Sequence, residues 1–137
     1  MLTVAAASLF FILDVASKHV VRRLPRASYG LMPGLHVTRV QLARPGFSRK
    51  RGKAGLVLTW LIALTCAIIL VGSGRAFDTA AAQIGVGAAL GGALGNLLDV
   101  LRRQAITDFL DLGWWPVFNL ADVGIVGGLV FAFWPLV

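Results

Sequence analysis

The 137-residue chain is 58% hydrophobic and only 14% charged, with a mean hydropathy of +0.82, a balance that excludes an ordinary soluble domain. Its formal charge of +7 is unevenly carried. Nine of the thirteen Lys and Arg lie between Arg22 and Lys53, which marks one basic loop and excludes a nucleic-acid-binding surface.

Four membrane spans are predicted, over about 2–21, 54–72, 79–98 and 117–137, so that residues 1–137 form a single all-α integral membrane domain. Crossing a bilayer takes about 20 residues at a 1.5 Å rise. The first span, Leu2 to Val21, contains Asp14 and lacks a basic start. A cleavable signal would have an uninterrupted apolar centre, so a retained helix is expected. The loop that follows, Arg22 to Lys53, is punctuated by Pro25, Gly30, Pro33, Gly34, Pro45 and Gly46. Its middle, Leu35 to Leu42, partly alternates and predicts a small extramembrane β region between helices one and two.

The second and third spans, Ala54 to Gly72 and Thr79 to Leu98, are free of charge and are joined by Ser73 to Asp78. Cys66, flanked by Thr65 and Ala67, reads as a buried packing thiol; being the sole cysteine, it permits neither an intramolecular disulfide nor a cysteine-based metal site. Gly87, Gly91 and Gly95 recur every four residues in the third span, as do Gly124 and Gly128 in the fourth. Such stripes let helix backbones approach closely in lipid. A connection from Asp99 to Pro116 leads to the fourth span. Trp114, Trp115 and Trp134 bracket that span as interfacial anchors, and Pro116 suits its first turn.

The acidic groups are six aspartates and no glutamate. Asp14 lies about 18 Å along its helix, and Asp122 about 22 Å from the C-terminus. With helices alternating in direction, Asp14, Asn96, Asp99, Asp108, Asp111, Asn119 and Asp122 all fall toward one membrane face. A carboxylate at the bilayer centre costs about 2.5–3.5 kcal/mol or more, so such clustering points to function. Asp14 and Lys18 are spaced i,i+4 and can pair. Asn96 with Asp99, and Asn119 with Asp122, each aim an amide and a carboxylate in one direction. Asp108 lies in the connecting segment, free to swing toward Asp122. Two adjacent carboxylates in a low dielectric share a proton, which suits them to activate water and protonate a leaving group. His19 and His36 sit in or beside the basic loop, which removes Ser–His and Cys–His chemistry. Asp and Asn oxygens leave a metal site as an alternative at this point.

These residues resemble the lipoprotein signal peptidases (signal peptidase II, peptidase family A8). Gly91-Gly-Ala-Leu-Gly-Asn-Leu-Leu-Asp99 is similar to that family's GGxxGNxxDR block, Thr107-Asp-Phe109 to its V-D-F triplet, and Phe118-Asn-Leu-Ala-Asp122 to its FNxAD block. Asp14-Val-Ala-Ser-Lys18 looks like its D-x-x-(S/T)-K. The resemblance implies an aspartic endopeptidase with Asp108 and Asp122 as its catalytic pair. Asp14, Lys18, Asn96, Asp99, Asn119 and Ala121 would shape the site and hold substrate. It implies cleavage before the lipidated cysteine of diacylglyceryl-modified prolipoproteins, with no metal or other cofactor. The implied partners are that substrate and membrane lipids, with no nucleic acid, and the implied state is a monomer.

Two positions depart from the family pattern. Val100 stands where the family has Arg after Asp99, with Arg102 and Arg103 nearby. The first loop reads Gln41-Leu-Ala-Arg-Pro-Gly-Phe47, without the family's Asn-x-Gly-x-Ala. A bacterial inner-membrane location with the active site toward the extracytoplasmic face is implied, although the positive-inside rule applied to the Arg22–Lys53 loop alone gives the opposite orientation. The competing readings are a non-catalytic or altered-substrate lipoprotein- or lipid-binding paralogue on the same scaffold, and a small transporter. The latter is disfavoured by the charge-free second and third spans.

Overall fold

The computed structural model describes residues 1–25, 28–43, 50–72 and 79–134. Along the chain run α1 (Leu2–Arg23), β1 (Ser28–Met32), β2 (Leu35–Ala43), α2 (Lys50–Gly72), α3 (Ala80–Arg103), β3 (Ala105–Asp111) and α4 (Leu120–Phe133). Helices α1 and α3 are long and apolar enough to cross a membrane, each with a mean hydropathy of 1.6; Trp60–Ile69 of α2 and Leu120–Phe133 are shorter apolar stretches. Outward-facing Ile12, Ile62, Ile68, Val126 and Val130 are all more than half exposed. An apolar exterior around a polar interior reverses the usual soluble arrangement.

Local chemistry sets the helix ends. Thr79 caps α3, its Oγ1 accepting the Ala82 N–H at 3.1 Å. At the other end Gln104 adopts φ 58°, a left-handed conformation that stops the helix and turns the chain into β3. Asn119 caps α4 through a reciprocal pair: its Oδ1 accepts the Asp122 N–H at 3.0 Å, and Asp122 Oδ2 accepts the Asn119 N–H at 3.2 Å. This capping box satisfies donors that a helix start otherwise leaves unpaired.

Helix α3 is the centre of the bundle, packed most extensively against α1 on one side and α4 on the other. Its glycines make this possible. A Cβ on Gly91 would collide with the Ala7 carbonyl of α1, and a Cβ on Gly128 of α4 would lie 2.5 Å from the Gly85 carbonyl of α3. Backbones this close gain dispersion contacts along their whole length, the attraction available to helices in lipid. Helix α2 adds Ala67 to a small apolar cluster with Ala82, Val86 and Ala132.

The strands form one antiparallel sheet in the order β1-β2-β3. The β1–β2 hairpin turns at Pro33–Gly34, where Gly34 has φ 81°, a backbone angle glycine adopts without strain. β3 pairs with β2 through Val40↔Asp108, Gln41↔Thr107 and Leu42↔Ile106. It is also joined to the start of α4, because the Phe118 carbonyl accepts the N–H groups of both Phe109 and Leu110, at 2.9 and 2.8 Å.

Several expectations change. The β region is not confined to the loop between helices one and two, since its third strand, Ala105–Asp111, comes from the segment read as a bare connection. The third helix continues past Leu98 to Arg103. The fourth begins at Leu120 rather than Val117, because Phe118 is held by β3 and Asn119 takes the cap. Pro116 therefore precedes the helix instead of opening it. Cys66 is exposed, not buried: α2 turns the neighbouring Ala67 toward α3 and α4, which leaves the thiol on the outer side. Segments 73–78, 44–47 and 135–137, which include the second connection and part of the departing first-loop sequence, lie outside the described residues.

Candidate active site

An i,i+4 rhythm on α1 places Asp14, Lys18 and Arg22 on a single stripe, and that stripe faces Asn96 and Asp99 of α3. Asp14 and Lys18 are fully buried, at 0% and 1% exposure. Lys18 Nζ donates to Asp14 Oδ2 at 2.7 Å and to Asn96 Oδ1 at 2.8 Å, and lies 3.5 Å from Asp99 Oδ2. Asp14 Oδ1 accepts the N–H of Ala121, in the first turn of α4, at 2.9 Å. The ammonium thus has three oxygen partners and Asp14 has donors on both oxygens. A buried charge is tolerated only when paired and hydrogen-bonded in this way.

Asp108 and Asp122 meet around Asn119. The Asn119 Nδ2 donates to Asp108 Oδ1 at 2.5 Å and lies 3.2 Å from Asn96 Oδ1. The Asn119 backbone N–H donates to Asp122 Oδ2, while Asp122 Oδ1 accepts from Asn96 Nδ2 at 3.0 Å. One residue therefore touches both carboxylates, and the two asparagine amides tie them to each other and to Lys18. Asp108 is 5% exposed. Asp122 is half-buried and opens on a groove of about 430 Å³ lined by Trp115, Phe118, Val123, Val126 and Gly127. A larger apolar cavity of about 660 Å³ between α1, α2 and α3 contains none of these polar residues.

All eight residues singled out from the sequence (Asp14, Lys18, Asn96, Asp99, Asp108, Asn119, Ala121 and Asp122) are brought into this one connected network. Asp111 is not part of it. Its Oδ1 accepts the Gly113 N–H at 2.8 Å in the turn after β3. His19 and His36 are exposed. Two residues of the network were missed. Arg22 was counted among the loop cations, although it ends α1, and its Nη2 contacts Asp99 Oδ1. Thr107 accepts from Arg22 through its hydroxyl and donates its N–H to Asp99 Oδ2 at 3.2 Å. The signal for Arg22 was its spacing, four residues past Lys18 on the same stripe. Of the two cations considered near Asp99, Arg103 stands 3.9 Å away and half-exposed, whereas Arg22 lies against it from another helix.

The architecture defines a class first. The fold is that of bacterial membrane enzymes: one, solved by the in meso method at 1.9 Å, matches with a TM-score of 0.82 over 98% of this chain and 92% of that one, at 20% identity. Another at 2.3 Å gives 0.80 over 98% and 86%, also at 20% identity. The chain belongs to the signal peptidase II family, whose model, described as Signal peptidase (SPase) II, matches residues 6–137. It is 40% identical over 123 residues to the lipoprotein signal peptidase of Syntrophomonas wolfei subsp. wolfei, covering 88% of this chain and 82% of that protein. With the lipoprotein signal peptidase of Mycobacterium avium it shares 36% identity over 141 residues, 94% of this chain and 75% of the relative. The same identity holds with that of Mycolicibacterium smegmatis, where 95% of this chain spans only 57% of the relative.

Proposed function

We propose that this protein is a membrane-embedded aspartic endopeptidase that removes signal peptides from diacylglyceryl-modified prolipoproteins, with Asp108 and Asp122 as the reacting carboxylates. The observation that carries this reading is Asn119, whose side-chain and backbone N–H groups reach Asp108 and Asp122 respectively. Family membership and the names of the relatives support the same substrate class. In this reading all four helices cross the bilayer, and the site faces the extracytoplasmic side.

The chemistry follows from two carboxyl groups sharing one proton. The ionised carboxylate takes a proton from water as the water oxygen bonds to the scissile carbonyl carbon. The protonated partner gives its proton to the carbonyl oxygen, which neutralises the developing oxyanion. The tetrahedral gem-diol then collapses: one hydroxyl returns its proton to the partner carboxylate as the C=O bond re-forms, the C–N bond breaks, and the carboxyl that took the water proton delivers it to the departing amine. The products are a signal peptide with a new C-terminal carboxylate and a lipoprotein with a free amino group on its lipidated cysteine. The groove beside Asp122 offers an apolar wall for the signal segment, and the Asn amides hold both acids in place without adding charge.

The test is complementation of bacteria depleted of their own enzyme. The unsubstituted chain should clear uncleaved prolipoprotein, while Asp108→Asn and Asp122→Asn should each let it accumulate. A normally folded unsubstituted chain that leaves the precursor uncut refutes the proposal.

A further inference from the structure

β3 brings Asp108 to the site, and what fixes β3 fixes Asp108. On one side the strand is paired with β2 at Val40↔Asp108, and beyond Asp108 it is bonded to Phe118. A further anchor, besides the Asn119 amide on Asp108 itself, is Thr107, which is 1% exposed and has its N–H and hydroxyl engaged. The Thr107 N–H donates to Asp99 Oδ2 at 3.2 Å. Its Oγ1 accepts from Arg22 Nε at 3.1 Å and from Arg22 Nη2 at 3.0 Å. Arg22 Nη2 also contacts Asp99 Oδ1, so a guanidinium from α1 and a carboxylate from α3 clasp one residue between them. Neighbouring side chains on a strand point to opposite faces. A grip on Thr107 from one face therefore sets the direction of Asp108 on the other.

The clasp depends on the fork of arginine. Two nitrogens of one rigid plane meet the Thr107 hydroxyl while one of them also meets the Asp99 carboxylate, a fixed planar geometry that an ammonium on a flexible stem does not impose. The other cations near Asp99 are less suited. Lys18 Nζ is committed to Asp14 and Asn96, and Arg103 is half-exposed at 3.9 Å, where an ion pair contributes little. Val100, next along α3 from Asp99, carries no charge.

We propose that Arg22 is a positioning residue for peptide cleavage, holding Asp108 at its working distance from Asp122 through Thr107 and Asp99. This inference rests on the reading of those two aspartates as the reacting pair. It goes beyond that reading by assigning the last turn of α1, which leads into the basic loop, a part in the chemical step.

The experiment uses the full chain purified in detergent, with a synthetic diacylglyceryl-cysteine peptide as substrate, and reads kcat and KM separately. Arg22→Gln should lower kcat by about 10²-fold, the scale of a misplacement of about 1 Å, with KM changed by less than about threefold. Thr107→Val should lower kcat in the same manner. The combined variant should be no slower than Arg22→Gln alone, because both act through the same bonds. Arg22→Lys, which keeps the charge and loses the fork, should fall between wild type and Arg22→Gln. A kcat within about twofold of wild type in Arg22→Gln, a loss confined to KM, or additive losses in the combined variant each overturn the proposal. Should Arg22→Gln fail to fold, Thr107→Val decides alone, since it exchanges one hydroxyl for a methyl group. Asp108→Asn and Asp122→Asn are assayed in parallel. If either cleaves at the wild-type rate, the assignment of the reacting pair has failed, an outcome distinct from a failure of Arg22.

Discussion

Gly95 of α3 and Asp14 of α1 compete for one volume: a Cβ built on Gly95 would overlap the Asp14 carboxylate. The glycine is what allows a buried acid to sit against a helix backbone. Gly95→Ala must push Asp14 away from Lys18 Nζ and the Ala121 N–H, which its two oxygens now accept. We expect a stability loss of about 1–3 kcal/mol, the usual result of adding a methyl group to a filled interior, together with a fall in cleavage of at least about tenfold. Gly72→Ala is the control, because among the described residues nothing beyond its own stretch of helix lies within 4 Å of its added Cβ. Thermal unfolding in detergent and peptide cleavage on the same samples check both expectations, and a Gly95→Ala protein as active and stable as Gly72→Ala contradicts them.

Lys18 is expected to matter more for folding than its position on an apolar helix suggests. Lys18→Met leaves the Asp14 carboxylate buried without its ammonium, and breaking such a pair costs about 3–5 kcal/mol. Asp14→Asn combined with Lys18→Met removes both charges, so it should recover part of that loss. Melting temperatures of the two single variants and the combination measure the coupling. Equal, additive losses would mean that the two side chains do not depend on each other.

This pair was legible from spacing alone, because i,i+4 partners on a helix are neighbours whatever the rest of the chain does. Asn119 and Asp122 were legible for the same reason, and their capping box is a local device. The approach of Asp108 was less so. It depends on Ala105–Asp111 pairing with Leu35–Ala43 far back in the chain, and no short-range pattern encodes long-range strand register. Arg22 was hidden by its company, as one of nine cations between Arg22 and Lys53, although α1 continues to Arg23, two residues past the apolar run, and carries Arg22 to Asp99. Cys66 misled in a simpler way. An apolar neighbourhood in sequence does not distinguish the side of a membrane helix that faces lipid from the side that faces protein.

Cleavage should have a bell-shaped dependence on pH. In the proposed reaction one carboxyl of the Asp108–Asp122 pair is protonated and the other ionised, so the rate should fall in acid, where both hold protons, and again where neither does. Asn119→Asp adds a third acid between them and should reshape both limbs, whereas chelators should leave the rate unchanged. The measurement is kcat against pH for wild type and Asn119→Asp, with and without a chelator. A flat wild-type profile, or activity abolished by chelation, contradicts proton sharing.

Orientation is open to an equally direct check. The Arg22–Lys53 loop leads into the sheet, and the polar network lies at the sheet end of the bundle. If the site faces outward, reporters fused at residue 76 and at the C-terminus should both read cytoplasmic, against the direction favoured by the nine cations in the loop. Extracytoplasmic signals from both fusions would reverse the orientation.

The cap of the last helix has one more implication. Because Asn119 both begins α4 and bonds Asp108, the contact between Asp108 and this cap depends on where α4 starts. On the proposed reading, helix initiation assembles the pair of carboxylates, so weakening the Asn119 cap would loosen the site together with the helix.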